Sequence, residues 1–145
     1  MYAPTLSRDG LTIYVSADPG TGSGLDIFVA TRADIDGVFG ALVPTAASSP
    51  VDQDIGGFPG PDGIYYWAGP SSGAFDLFFA PDVGGTLGTG ILLTELSATS
   101  ATDESPVVSA DGLTLYFASD RPDPSWEGFM DIYVARRDAL GEAFS

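Results

Sequence analysis

The chain has no cysteine and no histidine. It also lacks lysine and asparagine, so its five basic residues are all arginine: Arg8, Arg32, Arg121, Arg136 and Arg137. Without cysteine there is neither a disulfide frame nor thiol chemistry. Without histidine the commonest general base and metal ligand is missing. Without lysine a phosphate-binding P-loop has no cation. The usual routes to a catalytic site are closed, and the chain reads as a non-enzyme. Long apolar runs are lacking too, and the few-residue runs present are too short to span a membrane. The opening stretch "MYAPTLSRDG" has neither a basic n-region nor an apolar h-region, so no signal peptide is expected in it. Positive charge is scarce: twenty acidic residues leave a net charge of −15. Such a surface repels phosphate backbones and anionic headgroups, so neither nucleic acid nor membrane insertion is expected. The acidity would also attract cations, but a solvated, soluble surface is the simpler account.

What the chain does have is 19 glycines, 11 prolines and 12% aromatic residues. Many short strands joined by tight turns suit that composition. No stretch of useful length has a helical period.

The phrase "SRDGLTIYVSA" at 7–17 returns almost unchanged as "SADGLTLYFAS" at 109–119. Between them stands "PDGIYYWA" at 61–68. The Asp-Gly pairs Asp9-Gly10, Asp62-Gly63 and Asp111-Gly112 are separated by 53 and 49 residues. A second anchor, "DIFVATR" at 26–32, "DLFFAPD" at 76–82 and "DIYVARR" at 131–137, repeats at steps of 50 and 55. Asp-Gly between extended apolar segments is a strong hairpin signal, because both residues tolerate positive φ. Each unit adds a short segment before its Asp-Gly and an apolar stretch after the second anchor, such as "FGALV" at 39–43 and "GILLT" at 90–94. One unit therefore reads as four strands. Within "LTIYVS" the residues Leu11, Ile13 and Val15 face one way and Thr12 and Tyr14 the other. Bulky groups on both faces call for cover on both sides. Repeated four-stranded units of that length predict an all-β β-propeller of about three blades, at about 3–45, 55–95 and 104–145, the last with its fourth strand incomplete.

The stretch "SPVVSADGLTLYFASDRPDPSWEGFMDIYVARR" at 105–137 resembles the WD40-like PD40 repeat of TolB-type propellers. That motif runs Ser-Pro, Ser-x-Asp-Gly, an aromatic strand ending Ser-Asp-Arg, then Asp-Ile-Tyr-Val. Residues 4–32 match at Pro4, Ser7, Asp9-Gly10, Tyr14, Ser16 and Asp26-Ile27-Phe28; the middle unit keeps Pro61-Asp62-Gly63 and Asp76-Leu77-Phe78 and is one residue short after its Gly. The resemblance implies a non-catalytic scaffold for a protein, peptide or glycan, in a bacterial envelope, periplasmic or secreted setting. It also implies an alternative, the propeller part of a serine peptidase or polysaccharide lyase. Three blades leave two broad apolar faces uncovered, so the chain is expected to be a piece of a longer propeller. Self-association to complete the ring is the alternative, and a purely structural repeat is a third reading.

Candidate sites are few. "GPSSG" at 69–73 copies the nucleophile elbow around Ser71, but it lacks a His partner and lies between strands, so it reads as a hairpin loop. Asp9, Asp62 and Asp111 read as turn residues whose side chains cap backbone N–H groups, with Gly10, Gly63 and Gly112 supplying the positive φ. No cofactor is expected. Calcium is the most plausible ion, with carboxylates at Asp34, Asp36, Asp52, Asp54, Asp120 and Asp123. "DQDIGG" opens like an EF-hand loop, but position twelve falls on Gly63. The longest loop, "DRPDPSWEGFM", offers Arg121, Asp123, Trp126 and Glu127 as a partner-binding set, Trp126 being the anchor.

Overall fold

The computed structural model describes residues 2–20, 22, 24–47, 53–98, 100–122 and 129–145. All regular structure among them is β, arranged as three antiparallel sheets. The first sheet is a meander of β1 (Tyr2–Leu6), β2 (Thr12–Ala17), β3 (Asp26–Thr31) and β4 (Val43–Pro44). The second begins with β5 (Ile55–Pro59), β6 (Ile64–Ser71) and β7 (Ala74–Val83). Both β8 (Thr86–Leu87) and β9 (Ile91–Leu92) then pair with β7. The third is β10 (Asp103–Val108), β11 (Thr114–Ser119) and β12 (Asp131–Arg136). No helix among the described residues is long and apolar enough to cross a membrane.

The sheets repeat one another in detail. Each first hairpin carries an irregularity, between Tyr2 and Thr5, Ile55 and Phe58, and Glu104 and Val107. Left-handed residues sit at the same place: Ala3 (φ 43°), Gly56 (φ 51°) and Ser105 (φ 54°). The extra residue of a bulge bends the strand there. The first strands lie side by side, β5 against both β1 and β10.

Two apolar layers join the sheets. Tyr14, Ile27 and Val29 of the first sheet pack with Tyr65, Trp67 and Ala80 of the second. Tyr66 and Leu77 on the opposite face of the second sheet pack with Val108, Leu115, Phe117, Ala135 and Phe144 of the third. The middle sheet is thus covered on both faces, which explains its continuous apolar run "IYYWA". Tyr14 stacks on Tyr65 at 4.6 Å and Trp67 on Phe78 at 5.8 Å. Each such buried side chain contributes about 1.5–3 kcal/mol.

The middle sheet departs from the expected four strands. Gly84 and Gly85 take φ 60° and 87° and turn the chain into the hairpin that joins β7 to β8. That hairpin reaches the first sheet, where Leu87 is buried in the shared apolar layer.

Candidate functional site

The Asp-Gly turns converge where the first strands meet. Gly10, Gly63 and Gly112 take φ of 73°, 73° and 77°, a region that costs any residue with a Cβ. In the first turn, Ser7 Oγ donates to Asp9 Oδ1 at 2.6 Å and the Leu11 N–H donates to the same oxygen at 2.9 Å. Ser109 Oγ and the Leu113 N–H do the same to Asp111, at 2.6 and 3.0 Å. These bonds, the serine hydroxyl first, hold both carboxyls below their ordinary range. The middle turn has Gly60 in place of the serine and closes one residue shorter, the Gly60 N–H donating to the Ile64 carbonyl at 2.7 Å. Among the described residues, the Ile64 N–H reaches Asp62 Oδ1, at 3.3 Å.

Asp62 has a further task. Its Oδ2 accepts from Tyr66 OH at 2.8 Å and from Arg137 Nη2 of the third sheet at 2.5 Å. Both charged side chains are 5% exposed. Arg137 also donates from Nε to the Gly112 carbonyl at 2.8 Å and lies over the Phe144 ring at 4.4 Å. A clamp of arginine, aspartate and tyrosine thereby locks the third sheet to the second. At the first junction the arginine position is taken by Asp82, which accepts from Tyr14 OH. Burial raises the Tyr14 and Tyr66 hydroxyls well above the ordinary phenol value, and the neighbouring carboxylates raise them further.

The expected partner-binding set is only partly visible. Asp123, Trp126 and Glu127 lie outside the described residues, as does Asp52. Arg121 is described, and its guanidinium serves the interior. It donates to both carboxylate oxygens of the fully buried Asp103, at 2.7 and 2.9 Å, and to the Leu96 carbonyl at 2.8 Å. It also lies over the rings of Phe117 and Tyr133.

The described calcium candidates are spread apart and bonded locally. Asp34 Oδ1 accepts from the Asp36 N–H at 3.1 Å in an exposed turn. Asp54 is buried and accepts from Trp67 Nε1 at 2.9 Å. Asp120 Oδ1 accepts from the Thr102 N–H at 2.6 Å. Among the described residues no three acidic side chains gather as a metal-holding group. Ser71 ends β6, beside the tight turn Ser72-Gly73 with φ 51° and 96°.

Two recesses border the Asp-Gly turns. The larger, about 480 Å³, opens on the seam between the second and third sheets. Its charged wall includes Asp62 and Arg137, which already neutralise each other. The smaller, about 290 Å³, is lined by Leu6, Arg8, Phe58, Pro59, Pro61, Val108 and Ala110, so all three sheets contribute to it. Its rim is the set of Asp-Gly turns. Leu6 is 50% exposed, and Arg8 makes no ion pair among the described residues. Sequence reasoning passed over this groove because Leu6, Pro59 and Val108, which hold the same register position in the three first strands, look like ordinary strand residues. Their common place just before each Asp-Gly was the available signal.

No protein-family model matches the chain, and no curated protein is similar to it at a significant level.

Proposed function

We propose that the chain is three consecutive blades of a β-propeller of the PD40/TolB-like kind, acting as a non-catalytic binding scaffold in a bacterial envelope, periplasmic or secreted setting. The supporting observation is the groove at the Asp-Gly rim, built by equivalent residues of three successive sheets whose first strands lie side by side. First strands at a common centre are what a propeller's channel requires. A recess of about 290 Å³ is below the usual range for enclosing a drug-sized ligand, but it accepts one or two apolar side chains. Arg8 adds a cation at its edge, on a molecule of net charge −15. A peptide carrying apolar side chains next to a carboxylate fits that chemistry.

Selection from a displayed random-peptide library tests this reading. Peptides of that kind are expected to be enriched. Arg8→Glu and Leu6→Ser, both at exposed positions, are expected to weaken them at least tenfold, about 1.4 kcal/mol, with the melting temperature unchanged. Failure to enrich any peptide, or binding indifferent to both substitutions, refutes the groove as the site.

A further inference from the structure

The junction between the second and third sheets has a rule: the arginine after the third strand of one sheet grips the turn aspartate of the sheet before it. Arg137 grips Asp62 in this way, and Phe144 packs edge-on against Tyr66 at 6.3 Å. The same cassette stands on the first sheet. "RADIDGVF" at 32–39 matches "RDALGEAF" at 137–144. Arg32 Nε donates to the Gly10 carbonyl at 2.9 Å, and its guanidinium lies over Phe39 at 4.6 Å, as Arg137 does with Gly112 and Phe144. Ile35 sits against Gly10 where Leu140 sits against Gly112. What Arg32 lacks is the carboxylate: it makes no ion pair among the described residues.

The receiving half of the junction stands on the outer face of the third sheet. Asp111 is the counterpart of Asp62, and Tyr116 of Tyr66. Val107, Tyr116 and Val134 are adjacent across three strands. They are 45%, 42% and 46% exposed. Their counterparts Phe58, Tyr66 and Phe79 pack against the third sheet. An apolar face of this kind, edged by a carboxylate, calls for a sheet edged by an arginine.

We propose that the outer face of the third sheet receives the first sheet of a second copy of this chain, with Arg32 gripping Asp111 and Phe39 packing on Tyr116. Charge complementarity selects this occupant: the second sheet, with Asp82 at the arginine position, would face Asp111 with like charge. Two copies satisfy both junctions at once and close a six-sheet ring with two-fold symmetry. The inference rests on the reading of the sheets as consecutive blades; its test reads mass alone, so it can fail while peptide capture succeeds, and the reverse.

Sedimentation of the full chain over a wide concentration range provides the test. The wild type is expected at twice the 15.0 kDa chain mass. Arg32→Asp alone and Asp111→Arg alone are each expected at 15.0 kDa, since each sets like charges against each other. An equimolar mixture of the two variants is expected to return to the doubled mass, because both of its junctions again pair opposite charges. Should either variant lose its sheet circular dichroism, Val134→Glu on the exposed face repeats the test, with the single-chain mass expected. A wild type that stays at 15.0 kDa, an open-ended polymer, variants that still pair, or a folded mixture that does not recover would each overturn the proposal.

Discussion

Asp103 is a carboxylate with no exposed surface, in a chain that has only five cations. Removing such a charge from water costs several kcal/mol, and a hydrogen-bonded cation offsets it only with good geometry. Arg121 supplies that geometry with contacts at 2.7 and 2.9 Å. Arg121→Ala is therefore expected to lower the unfolding free energy by about 3–5 kcal/mol in urea titration, and adding Asp103→Leu to recover most of it. A loss under about 1 kcal/mol would rank the pair with solvent-exposed salt bridges. The sequence offered Arg121 as one of a partner-binding set, and its inward direction was not legible. Strand spacing tells which residues share a face, not that a loop arginine folds back past its own hairpin onto the first strand of the sheet. In the second sheet the matching acid, Asp54, is served by Trp67 instead. The same position is thus kept acidic with two different donors.

At the scale of an element, the Asp-Gly hairpin is the unit the sequence states most plainly. Its glycines need positive φ, and the neighbouring space differs between copies. A Cβ on Gly112 would lie 2.6 Å from Leu140 Cδ2, whereas on Gly63 it would meet only the Asp82 carbonyl at 3.7 Å. Gly112→Ala is expected to cost the backbone penalty of about 1–3 kcal/mol plus the clash, and Gly63→Ala the backbone penalty alone. Chemical denaturation of both variants checks the order; equal losses would mean that Leu140 moves aside freely. The hairpin at Gly84-Gly85 was not legible as a pair of strands. Two-residue strands have no periodicity to read, and Leu87 is held by the first sheet, far away in sequence.

At the scale of the molecule, the two layers between sheets are lined by tyrosines. Burial raises the folded-state values of Tyr14, Tyr65 and Tyr66 above the ordinary 10.0. Above that pH the unfolded chain gives up phenol protons that the folded chain keeps. Stability is therefore intact below about pH 10 and falls as pH rises further. Phenolate absorbance is expected to show two classes among the six tyrosines, the buried ones ionising together with loss of sheet circular dichroism. Ionisation of all six with the sheets intact would show the layers open to water.

The three-strand meander that opens each sheet, the Asp-Gly turns, the short middle unit and the two-sided apolar runs were determined by local sequence. Each depends on backbone preference and on alternation within a few residues. Tertiary structure alone decided the Arg137–Asp62–Tyr66 clamp, the exchange of arginine for Asp82 at the first junction, the inward turn of Arg121 and the groove beside Arg8. Each of these joins residues from separate elements, most of them from different sheets. Only the packing of sheet on sheet brings such side chains within hydrogen-bond reach, and no local pattern in the sequence encodes that distance.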